Sequence, residues 1–184
     1  MQNLLLTKKW FLSKSFTSLL LKSFLGSLLL IIATKIEIPM KPVPITGQTL
    51  AVTVLGLGLG LRAGTGAVLF YLIEGIAGLP VFAGGGSGWP VGPSAGYLYG
   101  FVPSVMLLGY YSDRGVLASW PRTILVTMAA TAITFACGLW HLSHFVPADE
   151  LLAAGFYPFI PGGIIKGLLA CALVIPTQRF FSKI

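Results

Sequence analysis

The charged residues of this chain are grouped so that long stretches contain none. Asp, Glu, Lys and Arg are all absent from residues 42–61, 75–112 and 123–148. A helix of about 20 apolar residues crosses a hydrocarbon core about 30 Å thick, and each stretch is long enough to supply one. Charged residues make up only 9% of the chain and hydrophobic residues 55%, too few charges for the surface of a soluble domain. The sequence therefore predicts an integral membrane protein.

Prolines, glycines and charges divide the apolar sequence into six segments. These segments predict an all-α fold of six transmembrane helices in one domain, 1–184, whose first 15 residues form a cytoplasmic N-terminal segment, 1–15. The predicted helices run from about Phe16 to Ile38, Gly47 to Leu61, Thr65 to Leu79, Pro93 to Tyr111, Pro121 to His141 and Pro158 to Phe180. Three prolines between Pro39 and Pro44 predict an extended loop outside the lipid.

Basic residues indicate how the helices are oriented. An even number of spans places both termini on one side, and that side collects most of the basic residues: Lys8, Lys9, Lys14, Arg62, Arg114, Arg122, Arg179 and Lys183. Because Lys and Arg are enriched in cytoplasmic loops, we expect a multi-pass protein of the cell membrane with both termini cytoplasmic. The net charge of +7 comes from singly spaced residues rather than a patch, which argues against a nucleic-acid partner. Membrane lipid is the expected surrounding.

Glycines recur at every fourth position in two of the predicted helices. Small residues at this spacing let helix backbones approach closely in lipid. Helix packing is therefore the favoured interpretation, with a smooth ligand groove as the alternative for the second stripe. The stripes are Gly56, Gly60 and Gly64, and then Gly92, Gly96 and Gly100 with Ser104 next in the series.

Four ionisable residues stand out near the outer ends of the predicted helices. Glu74 lies inside the third helix and either pairs with another group, lines a site or reaches the interface. Lys166, alone between apolar stretches, either holds a ligand carboxylate or extends to the interface. His141 and His144 are spaced i, i+3 without a carboxylate or thiolate partner, so we expect an interfacial, structural role rather than a metal site.

The sequence contains no set of residues typical of an enzyme. There is no Ser/His/Asp set or pair of carboxylates within the spans, so we expect no catalytic residues, no metal and no enzyme activity. Cys137 and Cys171 lie in apolar stretches and are interpreted as small hydrophobic residues. The phosphate-binding pattern GxxxxGK[ST] is also absent, so any ATP hydrolysis must come from partner proteins.

Four segments, in order, resemble the BioY family, the biotin-specific substrate-binding (S) components of energy-coupling factor (ECF) transporters. They are Pro42–Val52, Gly78–Gly84, Gly92–Leu98 and Phe159–Gly162 followed by Lys166. The resemblance implies a six-helix S-component fold with a cavity near the outer face, beneath the first, third and fifth loops. It also implies biotin as the ligand, no cofactor bound by this chain, and an energising module of one membrane scaffold subunit and two ATPase subunits.

Biotin needs a slot for its fused ring, hydrogen-bonding partners for its ureido group and a cation for its carboxylate. Glycines of the loop after the third helix can bring backbone groups close to the ring. Trp89 and Tyr97 suit the walls of such a slot, and Lys166 is the candidate for the carboxylate. The predicted substrate-binding residues are Gln48, Gly84, Gly85, Ser87, Trp89, Ser94, Tyr97 and Lys166.

Gly163 departs from the family pattern. Family members usually carry Asp directly after the Pro-Gly pair of the sixth helix, so a ureido partner is missing here. An S component for another vitamin or for a biotin precursor is therefore the alternative. A third hypothesis, from another class, is a membrane enzyme or assembly factor that uses Glu74 and His141.

Overall fold

The structure, a computed structural model, describes residues 15–183, with side chains described as far as residue 178. The predicted cytoplasmic segment, 1–15, lies outside the described residues except for Ser15. The N-terminal lysines counted for orientation, Lys8, Lys9 and Lys14, also lie outside them.

Helices dominate the described residues, as the all-α prediction requires. The long helices are α1 (Phe16–Lys35), α2 (Gln48–Ile76), α3 (Ala95–Asp113), α4 (Trp120–Leu142) and α6 (Ile160–Lys183), with a short α5 (Leu151–Gly155) before the last. Two short strands, β1 (Glu37–Ile38) and β2 (Ile45–Thr46), connect α1 to α2. Within the part of the chain that the structure describes, four helical stretches are long and apolar enough to cross a membrane, namely Phe16–Lys35, Gln48–Ile76, Trp120–Leu142 and Leu151–Gln178.

The described part of the chain has five long helices, not the six that the sequence predicted. The predicted second and third helices form one element, α2, which is broken at Gly60 (φ 76°, ψ −176°). The Nε2 atom of Gln48 lies 2.6 Å from the hydroxyl of Tyr71, 23 residues away, a separation that would span about 35 Å in a continuous helix. The segments 48–59 and 61–76 therefore lie side by side as a helical hairpin.

The reversal in α2 needs no loop. The gap at residues 62–64 between the predicted second and third helices is therefore wrong, because these residues are helical. Gly60 adopts a positive φ that residues with a side chain rarely adopt. The Oδ2 atom of Asp113 accepts a hydrogen bond of 3.1 Å from the backbone N–H of Leu61. A helix that starts at this point has unpaired N–H groups, and the carboxylate satisfies one of them.

The proline segment forms a small β-hairpin rather than a simple extended loop. Strands β1 and β2 pair antiparallel, with Glu37 opposite Thr46 and Ile38 opposite Ile45. Helix α1 accordingly ends at Lys35, before the predicted end at Ile38. The hairpin carries the chain back to the start of α2, where Gln48 begins the helix.

Close helix packing explains Gly56, Gly64, Gly96 and Gly100 of the two glycine stripes, as the favoured interpretation predicted. Gly60 instead makes the reversal in α2, and a Cβ atom added at Gly92 would meet no described atom within 4 Å. A Cβ atom added at Gly96 would lie 2.5 Å from the carbonyl oxygen of Cys137 in α4, and one at Gly100 would lie 3.0 Å from the Cα of Thr134. On the other side of α3, a Cβ atom at Gly56 of α2 would lie 2.6 Å from the Cβ of Leu108. These separations leave no room for a side chain, so the glycines hold α3 between α2 and α4.

Two large apolar clusters and a small one around Val43, Tyr97 and Leu142 form the core of the described residues. One large cluster lies between α1, α2 and α3 and includes the fully buried Leu30, Val68 and Val105. The other large cluster joins α2 and α3 to α4 and α6 and includes Leu57 and Ile175. Outward-facing residues of α4 and α6 are also apolar, as a lipid surrounding requires. Examples are Leu125, Met128, Ile164 and Leu173, all more than half exposed.

Candidate ligand-binding site

A cavity of about 350 Å³ lies at the end of the helix bundle that carries the β-hairpin and the glycine-rich segment 83–92, here called the glycine loop. Its size and mainly apolar wall, with a few polar groups, suit a small organic ligand. The polar side chains in its wall are Thr46, Gln48, Thr49, Thr53, Ser87, Ser94, Thr131, Thr134 and Lys166. The larger apolar residues around it are Phe82, Trp89, Tyr97, Leu98, Phe101, Phe135 and Phe159.

Six of the eight predicted substrate-binding residues line this cavity. They are Gln48, Ser87, Trp89, Ser94, Tyr97 and Lys166, and they come from α2, the glycine loop, α3 and α6. The family resemblance thus selected residues that are far apart in sequence and share one cavity. That they contact a ligand remains a prediction.

Gly84 and Gly85 are not among the lining residues, whereas their neighbours Gly86 and Ser87 are. Gly84 (φ 64°) and Gly85 (φ 75°) both have left-handed backbone conformations within a short 3₁₀ turn. The backbone N–H of Gly84 donates to Oε2 of Glu37 at 3.0 Å. These two glycines therefore shape and anchor the loop that brings Ser87 to the cavity.

Lys166 is the one charged side chain among the described residues that line the cavity. Its Nζ donates a hydrogen bond of 2.6 Å to the carbonyl oxygen of Thr46, at the end of the β-hairpin. An ammonium group has three donors, so two remain for a ligand. The bond fixes the lysine head within the cavity, so Lys166 does not extend to the interface.

Gln48 is held by hydrogen bonds on both sides of its amide. Its Nε2 donates to the hydroxyl of Tyr71 at 2.6 Å, and its Oε1 accepts from Oγ1 of Thr46 at 2.7 Å. A primary amide has two donors and two acceptor positions. Gln48 therefore keeps one donor and one acceptor that these contacts do not use.

Aromatic rings form one wall of the cavity. The rings of Tyr97 and Phe159 stack with centroids 6.2 Å apart and planes at 28°, and Phe135 meets Tyr97 edge to face at 6.2 Å. The hydroxyl of Tyr97 donates to the carbonyl oxygen of Gly155 at 2.7 Å, so it fixes α5 and is not free to bind a ligand through that hydrogen. Trp89 is 65% exposed at the cavity mouth.

The four helical threonines of the wall, Thr49, Thr53, Thr131 and Thr134, were missed by the sequence reasoning, as was Thr46 of the hairpin. The spacing of Thr49 and Thr53 at i, i+4 does place them on one helix face. Their hydroxyls bond largely to their own helices, as in the 2.9 Å bond from Oγ1 of Thr53 to the Thr49 carbonyl. Such bonds are common for threonine in any apolar helix, so the sequence offered no signal that this face borders a cavity.

The residues behind the enzyme hypothesis do not line the cavity. Oε1 of Glu74 accepts a 3.0 Å hydrogen bond from Oγ of Ser27 in α1, whereas the buried Oε2 has no hydrogen-bond partner among the described residues. Nε2 of His141 lies 3.2 Å from the carbonyl oxygen of Gly92, a contact that ties α4 to the loop before α3. Among the described residues no group of three His, Cys, Asp or Glu side chains is placed to bind a metal.

Gly163 lies in the cavity wall and also borders a second, almost wholly apolar cavity of about 340 Å³ between α4 and α6. A Cβ atom added at Gly163 would lie 3.8 Å from Cε2 of Phe135 and 3.9 Å from Cγ2 of Thr131. Both are ordinary van der Waals distances. The position therefore has room for a small side chain at the boundary between the two cavities.

Comparisons with known proteins agree on one family. The model of the BioY family matches residues 6–183. A biotin transporter BioY from Thermotoga maritima is 32% identical over 163 residues, which cover 87% of this chain and 95% of that protein. Biotin transporter BioY2 from Lactococcus lactis is 34% identical over 162 residues, which cover 86% and 88%.

The same agreement holds for a solved structure. The crystal structure of the S-component for biotin from an ECF-type ABC transporter superposes with a TM-score of 0.79 at 28% identity, covering 89% of this chain and 92% of that one. These relatives are transporters or a transporter component, and none of them is named as an enzyme.

Proposed function

Because this chain belongs to the BioY family, we propose that it captures biotin at the outer face of the membrane as the S component of an ECF-type transporter. One observation carries the proposal: in the cavity of about 350 Å³ at the hairpin end of the bundle, Lys166 is the single charged side chain among the described lining residues. Biotin has a neutral bicyclic ring and one carboxylate on its side chain. The apolar part of the wall suits the ring, and Lys166 suits the carboxylate. The chain is a transport protein, not an enzyme.

Each part of biotin has a partner in the proposed complex. Lys166 holds the carboxylate with the two donors that Thr46 leaves free. Apolar rings around the cavity bury the fused ring, because a ligand of this kind is bound mostly by apolar contact and oriented by a few polar groups. The candidates for the ureido group are Gln48, Ser87 and Ser94, and those for the walls are Phe82, Tyr97 and Phe159.

We propose a multi-pass protein of the cell membrane with six crossings, in which the two segments of α2 count separately. Both termini then lie on the cytoplasmic side, and 1–184 forms one domain with an N-terminal cytoplasmic segment, 1–15. Three arginines support this orientation. Arg62 follows the α2 reversal, Arg114 follows the last residue of α3, and Arg122 lies in the first turn of α4, all at the end of the bundle opposite the cavity. Basic residues favour the cytoplasmic side.

The proposed partners are one membrane scaffold subunit and two ATPase subunits, besides lipid and biotin. The chain has no phosphate-binding motif of the type GxxxxGK[ST], so ATP hydrolysis has to come from such partners. Affinity purification of the tagged chain from its native membrane, followed by identification of the proteins retained, tests this. Recovery of no ATPase subunit would contradict the proposed module.

Uptake of labelled biotin by cells that lack their own biotin transporter tests the proposed function. We expect uptake to depend on expression of the chain together with its module, and unlabelled biotin to compete. Gly163 favours a second candidate, an S component for another vitamin or for a biotin precursor. Competition by desthiobiotin, thiamine or riboflavin that exceeds competition by biotin would support this candidate and contradict the first.

A further inference from the structure

We infer that Tyr71 is a positioning residue for ligand recognition: its hydroxyl fixes the amide of Gln48 in one orientation. Tyr71 is fully buried and does not itself line the cavity. The inference rests on the proposed function, because it assigns Tyr71 a part in how the biotin cavity recognises the ureido group.

The hydroxyl of Tyr71 joins three parts of the fold. It accepts the 2.6 Å hydrogen bond from Nε2 of Gln48. It donates to the carbonyl oxygen of Val81, the residue before Phe82 of the cavity wall, at 3.1 Å. It also lies 3.1 Å from Oγ1 of Thr34 in α1.

The single hydrogen of this hydroxyl is not available to Gln48. The carbonyl oxygen of Val81 can only accept. Oγ1 of Thr34 also lies 2.7 Å from the carbonyl oxygen of Leu30, so it can donate either there or to Tyr71 and does not need the tyrosine hydrogen. Because the hydroxyl of Tyr71 donates to Val81, the side of Tyr71 that faces Gln48 is an acceptor, and only the NH₂ end of the amide fits there.

Thr46 supports the same orientation from the other side of the amide. Its Oγ1 accepts from the backbone N–H of Gln48 at 3.3 Å and donates to Oε1 of Gln48 at 2.7 Å. A flipped amide would place Oε1 against an acceptor at Tyr71, and a buried polar group without its partner is costly. The oxygen and nitrogen of Gln48 therefore have fixed places in the cavity wall.

An oriented amide distinguishes ligands that a freely rotating amide accepts equally. Gln48 has one N–H and one acceptor position left, which complement a group that carries an oxygen acceptor beside an N–H donor, as the ureido group of biotin does. A ligand with a hydrogen-bond donor in place of that oxygen would direct this donor at the remaining N–H of Gln48, and two donors cannot form a hydrogen bond with each other. Tyr71 thereby sets specificity through Gln48 without touching the ligand.

A double-mutant cycle with Tyr71→Phe and Gln48→Leu tests this, with biotin affinity measured by titration of the purified full chain. We expect Tyr71→Phe to weaken biotin binding about tenfold in the wild-type background, the scale of one hydrogen bond, and less than about twofold in the Gln48→Leu background. We also expect Tyr71→Phe to reduce discrimination between biotin and 2-iminobiotin, in which an imino group replaces the ureido oxygen. A purely structural role would not change that ratio.

Tyr99→Phe is the matched control, because the Tyr99 hydroxyl donates to the carbonyl oxygen of Pro90 and not to Gln48. Its effect on biotin binding should be additive with that of Gln48→Leu, and so the same in both backgrounds. Equal losses of biotin affinity from Tyr71→Phe in both backgrounds, with an unchanged ratio of the affinities for biotin and 2-iminobiotin, would overturn this inference but not the proposed function. Wild-type protein that does not bind biotin would overturn the proposed function and this inference with it.

Discussion

Nζ of Lys166 donates a 2.6 Å hydrogen bond to the carbonyl oxygen of Thr46, and so connects α6 to the hairpin that precedes α2 across 120 residues of sequence. The bond holds the one charged side chain among the described lining residues of the cavity against the hairpin. The bond closes the wall of the cavity, and under the proposed function the other donors of Lys166 bind the carboxylate of biotin.

Lys166→Ala should weaken binding of free biotin about 10- to 100-fold, because a hydrogen bond to a charged group is worth about 1.5–3 kcal/mol. Binding of biotin amide should fall much less, since the amide carries no carboxylate. Competition binding with both ligands measures the difference. Lys41→Ala, which removes an exposed charge near the same face, is the control, and equal losses for both ligands on Lys166→Ala would assign the lysine a structural role only.

Gly60→Ala should destabilise the protein, because an alanine at φ 76° is strained by about 1–3 kcal/mol. A side chain there would also press against the Asp113 carboxylate that caps the returning segment. The thermal midpoint in detergent should fall by several degrees. The same change at Gly58, where an added Cβ would meet no described atom within 4 Å, should have little effect, and equal stability of the two variants would contradict the hairpin in α2.

Gly96→Ala should disturb the packing of α3 on α4, since its Cβ would lie 2.5 Å from the carbonyl oxygen of Cys137. Overpacking of this kind typically costs about 1–3 kcal/mol. Thermal unfolding of the purified variant measures it. Gly92→Ala, in the same sequence stripe but with open space around it in the described structure, serves as the comparison. A greater loss of stability at Gly92 than at Gly96 would contradict the packing interpretation.

Gly163→Asp should strengthen biotin binding, because Gly163 lies in the cavity wall and a carboxylate that reaches the proposed ligand there can accept from a ureido N–H. The expected gain is about tenfold, the scale of one hydrogen bond to a charged group, and the space around Gly163 admits the side chain. Gly163→Asn provides a side chain of the same shape without the charge. Titration of both variants with biotin measures the gain, and weaker binding by the Asp variant than by wild type would show that the cavity is adapted to a glycine.

Much of the fold could be predicted because lipid imposes simple requirements on sequence. The charge-free stretches located the helices, and the predicted bounds of α3 and α4 lie close to the observed ones. The reversal at Gly60 could not be predicted in this way. It depends on Asp113, which caps the backbone N–H of Leu61 from 52 residues away in sequence. A glycine that recurs at every fourth position also looks the same in sequence whether it packs against a helix or turns the chain. The sequence therefore predicted a loop where the chain needs only one residue.

The cavity was predicted less completely than the fold. Lys166 stood out as a lone cation between apolar stretches, Gln48 was found through the family resemblance, and both line the cavity. Thr131 and Phe135 were missed, because apolar and threonine-rich helix faces are alike whether they meet lipid, another helix or a ligand. The role of Tyr71 depends on which of its partners can only accept a hydrogen bond, and that information exists only in three dimensions.

Isothermal titration of the purified chain with biotin is the decisive experiment for the proposed capture of biotin. We expect saturable binding to one site per chain at micromolar or lower ligand, weakened by Lys166→Ala. Absence of binding at micromolar biotin, by a protein that retains its helical content, would contradict the proposal.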